Sequence, residues 1–423
     1  MKKILIICYY WPPAGGPGVQ RWLNFVKYLP EFGVEPIVFV PKNPDYPMED
    51  ASFLSKVPKD IKIIKQPIFE PYKLAAFLSS KKAKQISKGI ITTKKQTFSE
   101  KFLLWIRGNF FIPDARIFWV KPSVSYLKDY IKKEKIETVI TTGPPHSVHL
   151  IGMNLKEQLD FKWIADFRDP WTNIGYHSEL KLSKRASQKH KELEAKVLNR
   201  ADHVVTTSFT TKEEFEAITK KPIEVITNGF VTNKVAVKSL DNKFTISHIG
   251  SLLSGRNPEN LWGVIEELLT ENIGFKEDFN LQLAGVISDD VLASIKEHVP
   301  SENLSVLGYV SHNDAIKLQR SAQVLLLIEI DAKKTRGIIP GKLFEYFAAE
   351  RPILALGPEK WDVEQLLNKT NAGLYFNYGD RDKLKTAILS LYKAYKNDNL
   401  YVNSVGIDKY HRKSLTEQLA GII

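Results

Sequence analysis

The chain contains a single cysteine, Cys8, among its 423 residues. One cysteine excludes an intrachain disulfide and a cysteine zinc cluster, and it favours an intracellular location. No apolar run approaches the roughly 18 residues that span a bilayer, so we expect a soluble or peripheral protein. The sequence also lacks a repeat of solenoid period and, outside one lysine-rich segment, low-complexity stretches. Hydrophobic and charged contents of 43% and 26% are typical of a globular protein.

Basic residues outnumber acidic ones, and the net charge of +12 calls for an anionic partner such as nucleic acid, an anionic membrane surface or a phosphorylated ligand. Residues 81–107 hold eight basic side chains against one acid, Glu100. Aromatic residues overlap and follow this stretch: Phe102, Trp105, Phe110, Phe111, Phe118 and Trp119. The segment 81–119 therefore fits an interfacial membrane anchor, and equally a solvated loop followed by a core helix.

The chain is too long for one ordinary core, and its pattern alternates apolar strands with helical stretches. This alternation predicts parallel sheets covered by helices, an α/β fold. The strands expected in the first half are 4–8, 36–40, 138–142, 163–167 and 203–206, followed by a strand candidate that reads IEVITNGF. Those expected in the second half read FTISHIG, FNLQLAG, LSVLG, VLLLIEI and PILALG, with helices at 258–269, 312–321 and 342–349.

Two doubly wound domains explain this pattern best. We expect an N-terminal domain over 1–230, a linker reading VTNKVAVKSLDNKF, and a C-terminal domain over 243–404. A final helix at about 405–423 is expected to pack back on the N-terminal domain. Ligands of such folds bind at the carboxyl ends of the strands, here in a cleft between the domains.

The stretch WPPAGGPG follows the first apolar run and has two interpretations. It ends either a signal peptide or a first strand whose loop holds a ligand. Val19, Trp22, Phe25 and Val26 follow at helical spacing, which favours strand, glycine loop and helix.

Glycines end three strands of the second half, at Gly250, Gly285 and Gly308. Glycine lets backbone approach a phosphate closely, although turns need glycine regardless. Arg256 stands just before a predicted helix, where a guanidinium can hold a diphosphate by charge and paired hydrogen bonds. The alternative is an ordinary surface arginine.

The segment TRGIIPGKLFEYFAAERPILALG carries more information. Pro340 and Gly341 begin a helix that places Lys342 and Glu345 on one face. A lysine directed at phosphate and a carboxylate that accepts ribose hydroxyls would form a nucleotide-diphosphate site. The alternative is a Lys–Glu pair on a helix surface.

This segment resembles the donor-site signature of the retaining family 4 glycosyltransferases, which have the GT-B fold of two Rossmann-like domains facing each other across a cleft. The pieces PAGGPGVQR, NGF, IGSLLSGRNP and LGYVSHNDAIKLQRSAQVLLL occur in the order of that family. TTGPPHSVHLIG and IADFRDPWT are similar to members that build bacterial surface polysaccharides.

The resemblance assigns roles in the second half of the chain. It implies that Glu345 binds the ribose, whereas the family's first glutamate is missing, because Gly337 stands there. Arg336 or the backbone of 338–341 is expected to substitute. Ser251 replaces the family's first diphosphate arginine and Arg256 matches its lysine, so Lys342 is expected to restore the missing charge.

In the first half, the resemblance places Gly15 and Gly16 near donor phosphates and acceptor, and His146 near the transferred sugar, although a lone histidine is more often structural. Of the polar residues Asp166, Arg168 and Asp169, which follow a strand, the last two are expected to contact the acceptor. An Arg168–aspartate structural clamp is the alternative.

The resemblance thus implies a retaining transfer from a UDP- or GDP-sugar to an acceptor hydroxyl of a glycan or lipid-linked acceptor, without a metal cofactor. The location expected is the cytoplasm or the inner membrane face. The expected catalytic residues are Arg256, Lys342, His146 and Asp169. The expected donor-binding residues are Glu345, Gly15, Gly16, Gly250, Ser251, Gly308 and Gly341.

Three alternatives belong beside this interpretation. A nucleotide-sugar epimerase on the same fold would need no acceptor. A nucleic-acid-binding protein would use the basic segment, although no nucleic-acid motif is present. A nonenzymatic sugar-nucleotide sensor is conceivable because of the missing glutamate at Gly337.

Overall fold

A computed structural model describes residues 1–70, 98–173, 177, 180–232 and 239–423. The chain divides into two compact units. The N-terminal domain contains Met1–Asn228 together with Arg412–Ile423, and the C-terminal domain contains Gly229–His411. The predicted boundary at residue 230 lies beside this division, whereas residues 233–238 of the predicted linker lie outside the described residues.

The N-terminal domain is built on a parallel sheet whose described strands run in the order β3-β2-β1-β4-β5-β6-β7. Their bounds are β1 Lys2–Cys8, β2 Val34–Pro41, β3 Lys62–Gln66, β4 Thr138–Gly143, β5 Lys162–Phe167, β6 His203–Thr206 and β7 Ile223–Val225. The winding direction reverses between β1 and β4. The loops that follow these two strands therefore flank a topological switch point, where ligands bind in such sheets.

The helices of this domain before the C-terminal segment are α1 Pro17–Tyr28, α2 Phe98–Phe110, α3 Val120–Glu134, α4 Ser147–Lys156, α5 Lys184–Arg200 and α6 Phe209–Glu216. Helix α1 follows the WPPAGGPG stretch directly and buries Trp22 and Phe25. The strand, glycine loop and helix predicted for the start of the chain are confirmed. Cys8 is a buried free thiol in β1 and packs in the apolar core.

Helix α2 places aromatic side chains on the surface. Leu104 is buried, whereas the residues that we call the aromatic surface are 39% to 69% exposed: Phe69, Phe102, Trp105, Phe110 and Phe118. The core helix expected within the segment 81–119 is therefore only partly buried. The lysines at 81, 82, 84, 88, 94 and 95 lie outside the described residues. Within the described part of the chain, no helix combines the length and hydropathy of a membrane span.

The C-terminal domain has a second parallel sheet, with described strands in the order β10-β9-β8-β11-β12-β13. The strands are β8 Phe244–Ile249, β9 Phe279–Ala284, β10 Leu304–Gly308, β11 Val324–Ile328, β12 Ile353–Gly357 and β13 Gly373–Asn377. Here the switch point lies between β8 and β11.

The helices of this domain are α7 Glu259–Glu271, α8 Ile273–Asp278, α9 Asp289–His298, α10 His312–Ser321, α11 Gly341–Ala349, α12 Asp362–Thr370 and α13 Arg381–Lys396. The predicted helices at 258–269, 312–321 and 342–349 correspond to α7, α10 and α11. Pro258 precedes α7 as its N-cap residue.

The C-terminal segment returns to the first domain, but the predicted helix at 405–423 is too long. Helix α14 spans Arg412–Gly421, and Leu415, Leu419 and Ile423 join the N-terminal core. The preceding turn belongs to the C-terminal domain, where the Tyr410 ring lies against those of Phe344 and Phe347.

Candidate functional site

Three glycine turns lie side by side at the carboxyl edge of the C-terminal sheet. Gly250, Gly285 and Gly308 all have positive φ, of 126°, 129° and 65°. The Gly250 N–H donates to the Ala284 carbonyl, and the Gly285 N–H donates to the Gly308 carbonyl, each at 2.7 Å. A Cβ at Gly285 would lie 2.4 Å from the Gly250 carbonyl oxygen, so glycine is required there by packing. Ser251 follows on the exposed side of this edge.

Lys342 reaches this edge from the first turn of α11. Its Nζ lies 3.3 Å from the Nε2 of His248, and a Cβ on Gly250 would come within 2.6 Å of it. Burial, followed by the charge of Arg256, lowers the pKa of Lys342 to about 8, against the opposing carboxylates of Glu329 and Glu345. The cation therefore lies over the Gly250 turn and is easily deprotonated for a lysine.

Arg256 pairs with a buried carboxylate that the sequence analysis did not single out. Its Nε donates to Glu329 Oε1 at 3.1 Å and its Nη2 donates to Oε2 at 3.2 Å. The side chain of Glu329 is 2% exposed and that of Arg256 is 26% exposed. Glu329 Oε1 also accepts from the Ile330 N–H at 2.9 Å, which fixes the carboxylate. Arg256 is thus anchored along one edge of its guanidinium, unlike a free surface arginine.

Glu345 lies on the same helix as Lys342 but has a different partner. Its Oε2 accepts from Gln319 Nε2, on α10, at 2.9 Å. Among the described residues, no ion pair joins Lys342 to Glu345, so the two do not form the simple surface pair. A Cβ placed on Gly341 would meet no heavy atom within 4 Å, which leaves the start of α11 open.

The position of the missing glutamate, Gly337, is bordered by Arg336. Arg336 Nη2 lies 3.6 Å from Glu359 Oε2, and its buried Nε has no partner among the described residues. The Ile338 carbonyl accepts from Trp361 Nε1 at 2.6 Å. Of the expected substitutes, Arg336 thus has an unpaired but buried Nε, and the Ile338 carbonyl already accepts a hydrogen bond.

The glycine loop of the N-terminal domain is covered by a neighbouring segment. Gly15 N–H donates to the Met48 carbonyl at 3.0 Å, and Gly16 caps α1 with φ of 106°. A Cβ on Gly18 would lie 1.5 Å from Arg168 Nη1, so that glycine makes room for the arginine. The Arg168 side chain therefore occupies the space that the absence of a Cβ at Gly18 leaves. Ligand binding by Gly15 and Gly16 stays a prediction.

His146 is the N-cap residue of α4 and is 5% exposed. Its ring stacks on Trp171 with centroids 5.0 Å apart, and neither ring nitrogen has a partner among the described residues. Burial, and then the nearby His149, hold the pKa of His146 well below its ordinary value. The imidazole is therefore neutral, and both of its nitrogens are buried.

Asp166 lies within β5, whereas Arg168 and Asp169 follow it, and the three have separate surroundings. Asp166 is buried and pairs with Arg21 at 3.0 Å, and it also accepts from Trp22 Nε1 at 3.0 Å. Arg168 donates from Nε to the Gly143 carbonyl at 3.1 Å and from Nη2 to the carbonyl of Pro144. The alternative of an Arg168–aspartate clamp finds no ion pair among the described residues, where Arg21 is the partner of Asp166 and Arg168 donates to backbone carbonyls. Asp169 is exposed.

A cavity of about 410 Å³ opens beside the glycine loop of the N-terminal domain. Trp11 and Tyr46 line its apolar part, and Lys42, Glu49 and Lys65 supply charged groups. None of the predicted site residues lines this cavity. Gly15, Gly16 and His146 follow β1 and β4 and so lie around the switch point of the N-terminal sheet. Within the described residues, no cluster of three histidine, cysteine or acidic side chains is arranged to hold a metal ion.

Sequence analysis missed His248, Glu329 and Gln319. The available signal was a polar residue within or just after an apolar strand, in FTISHIG and VLLLIEI, because a buried polar group needs a partner.

Two parallel sheets of this order, each flanked by helices, are the two Rossmann-like domains of the GT-B fold. Residues 90–234 match the family model described as Glycosyltransferase Family 4. The expected resemblance to the family 4 glycosyltransferases is confirmed over residues 90–234, and the expected α/β fold class is confirmed over both domains.

Solved structures share this fold across the whole chain. TarM of S. aureus, 13% identical, matches with a TM-score of 0.61 over 100% of this chain and 98% of that one. The lipopolysaccharide outer core galactosyltransferase WaaB, 13% identical, matches with a TM-score of 0.57 over 100% and 99%. A structure described as a UDP-N-acetylglucosamine 2-epimerase from Listeria monocytogenes, 13% identical, matches with a TM-score of 0.53 over 99% and 95%. No curated protein matches in sequence.

Proposed function

We propose that the protein is a retaining glycosyltransferase that moves a sugar from a UDP- or GDP-sugar to an acceptor hydroxyl. The observation that carries this proposal is the pair of cations, Arg256 and Lys342, at the switch point of the C-terminal sheet beside three glycine turns. A diphosphate is the ligand that such a site fits, because two positive charges lie beside turns where glycine lets a ligand approach the backbone. The family match and the GT-B fold support a transferase.

The residues suggest how the transfer proceeds. As the bond between the anomeric carbon and the diphosphate oxygen breaks, negative charge grows on the leaving group. Arg256 and Lys342 would stabilise that charge, which is the work of a metal ion in other enzymes, so we propose that none is required. The acceptor oxygen forms the new bond, and its proton passes to the departing diphosphate.

Glu345 would bind the nucleotide in this proposal. Its free carboxylate oxygen can accept hydroxyl hydrogen bonds from the ribose while Gln319 holds the other oxygen. The TarM structure solved with UDP supports uracil as the first base to test.

The N-terminal domain would bind the acceptor. The neutral His146 can hydrogen-bond a sugar hydroxyl, and exposed Asp169 can contact the acceptor. The cavity next to the glycine loop has the mixture of aromatic, lysine and carboxylate groups that glycans use. The likeness to WaaB favours a glycan or glycolipid of the cell surface as the product.

We propose further that the aromatic surface rests on an anionic membrane face on the cytoplasmic side. Of its five exposed aromatic rings, Phe102 and Trp105 lie within residues 81–107, a stretch with eight basic side chains and one acid, and Phe110 and Phe118 follow it. Aromatic rings settle at the acyl boundary while lysines and arginines attract anionic headgroups. Nucleic acid fits this surface less well, because the charge lies beside apolar groups.

A nucleotide-sugar epimerase is the second candidate, favoured by the Listeria neighbour of that description. The two functions differ in their need for an acceptor. An epimerase inverts a sugar centre or releases free nucleotide without one, whereas a transferase releases UDP or GDP in step with glycosylated acceptor.

The first experiment is a thermal-shift screen with UDP, GDP, ADP and CMP, with and without Mg²⁺, because a ligand that binds the folded state raises the Tm. A shift with UDP or GDP that persists without Mg²⁺ supports the proposed donor site. A transfer assay with the matching nucleotide sugars and cell-envelope acceptors then follows. If none of the four nucleotides shifts the Tm, the donor site is wrong.

A further inference from the structure

His248 is a buried polar residue in the central strand β8, 1% exposed, next to the proposed donor site. Its Nδ1 lies 3.0 Å from the Leu326 carbonyl oxygen on the neighbouring strand β11. A carbonyl oxygen only accepts, so this hydrogen bond requires a proton on Nδ1. In the neutral ring, Nε2 then has a free lone pair.

Lys342 is the side-chain partner of this lone pair among the described residues. Nε2 lies 3.3 Å from Lys342 Nζ, a cation that only donates, so the ammonium donates to the imidazole. Burial, and then the charge of Lys342, hold the pKa of His248 well below its ordinary value. The backbone carbonyls of Leu326 and Ser251 oppose this shift without reversing it. The ring thus stays neutral and acts as an acceptor.

No other described group fixes the ammonium. Arg256, from the loop before α7, repels it, while Glu329 after β11 and Glu345 on α11 attract it. Within the described residues, neither carboxylate comes within ion-pair distance of Nζ, and the imidazole is its hydrogen-bond partner. Gly250 completes the arrangement, because a Cβ there would lie 2.6 Å from Nζ.

We propose that His248 is a positioning residue that holds the Lys342 ammonium over the Gly250 turn, in the place where the donor diphosphate binds. This inference rests on the proposed function for the identity of the ligand. The ammonium has three N–H donors, and His248 takes one. Two remain for diphosphate oxygens. A long lysine side chain that is fixed before the ligand arrives loses less conformational freedom on binding.

The direct test needs no ligand. In the full-length protein labelled with ¹⁵N-histidine, the tautomer of His248 is determined by NMR, with resonances assigned from His248→Gln. A proton on Nδ1 and a bare Nε2 are expected, and a proton on Nε2 would overturn the inference. This result is independent of whether the protein binds nucleotides.

The functional test compares UDP with uridine by titration calorimetry. His248→Phe removes the acceptor and keeps a planar ring, and we expect roughly tenfold weaker UDP binding with uridine binding unchanged, because a hydrogen bond to a charged group is lost. His248→Gln, whose side-chain oxygen can accept from Nζ, should recover part of the affinity. His298→Phe, on the surface of the same domain, is the matched control and should leave both affinities unchanged.

The outcomes separate the two proposals. If wild-type protein binds UDP but His248→Phe weakens UDP and uridine equally, or weakens neither, the positioning role is wrong. If wild-type protein binds no nucleoside diphosphate, the proposed function fails, while the tautomer measurement still decides on the His248–Lys342 contact. If His248→Phe does not fold, the positioning role is tested by UDP binding to His248→Gln and by the tautomer of His248 in the wild-type protein.

Discussion

Arg256 and Glu329 are joined by two hydrogen bonds of 3.1 and 3.2 Å, although 73 positions separate them in the chain. The Glu329 carboxylate is buried, whereas the Arg256 guanidinium is partly exposed to solvent. Because Nε and Nη2 face Glu329, the N–H groups of Nη1 stay available to a ligand. A charged pair of this kind affects stability as well as binding.

Arg256→Ala should destabilise the C-terminal domain by about 1–3 kcal/mol, because it leaves the Glu329 carboxylate buried and unpaired. Arg256→Ala combined with Glu329→Gln should recover part of this loss, since a neutral amide costs less to bury than a carboxylate. Urea denaturation of the single and double variants measures both effects. An additive double variant would contradict the coupling.

Arg256→Ala should also lower turnover more than it weakens nucleotide binding. The charge on the leaving diphosphate is greatest in the transition state, so a lost cation acts mainly on kcat. Steady-state kinetics beside UDP titrations test this. A rise in KM with unchanged kcat would place Arg256 in uniform binding only.

Glu345→Ala should weaken UDP binding by roughly tenfold, because a carboxylate that accepts from ribose hydroxyls is removed. The affinity for inorganic pyrophosphate should be unchanged, since that ligand lacks the ribose. Exposed Glu302→Ala is the matched control for a lost acidic residue in the same domain. Equal losses for UDP and pyrophosphate would mean that Glu345 does not bind the ribose.

Diphosphate binding should weaken as the pH rises above about 8. The pKa of Lys342 is lowered to about 8, so the ammonium is charged below this pH and loses its proton above it. Arginine stays charged throughout this range, and Lys342→Arg should therefore remove the pH dependence even if its affinity is lower. UDP titrations from pH 6.5 to 9.5 provide the measurement, and the same slope in both proteins would refute the prediction.

Replacing Phe102, Trp105 and Phe110 with serine should reduce sedimentation with vesicles of phosphatidylglycerol, because the exposed rings no longer enter the interface. Tyr309→Ser with Tyr401→Ser, at exposed rings of the C-terminal domain, is the control. Glutamate at Lys94, Lys95 and Lys101 should give a further loss through charge. Binding that survives both sets of changes would remove the membrane proposal, and equal binding to phosphatidylcholine would remove its electrostatic part.

Much of the fold could be predicted from apolar runs and glycine turns. Strands β8 and β11 stand out in the sequence because both their faces are buried, which gives continuous apolar stretches. The edge strands β3 and β13 were missed, because Lys62 and Lys65 interrupt the apolar pattern of β3, and Gly373 and Asn377 leave only a short apolar run in β13. A return of the C-terminal helix was expected, although its start was placed several residues too early.

The site was predictable only in part. Lys342 could be placed in the first turn of a helix, because Pro340 and Gly341 are typical of a helix start. Its role in diphosphate binding came from the family resemblance. The partners of the cations could not be predicted, because pairing of Arg256 with Glu329 depends on which strand ends are neighbours in the sheet. Likewise, Asp166 follows an apolar strand run, and only the fold shows that Arg21 neutralises it.

The N-terminal domain is assembled from two separate parts of the chain, and this has a consequence for how the protein is made. Residues 412–423 leave the ribosome after the whole C-terminal domain, yet Leu415, Leu419 and Ile423 complete the first core. Until they are synthesised, the core of the N-terminal domain lacks these three side chains. The C-terminal domain, continuous from 229 to 411, can complete its folding before that point. A ribosome that stalls near residue 400 would release a chain whose later domain is nearly complete and whose earlier one lacks its last helix, a good substrate for chaperones and proteases.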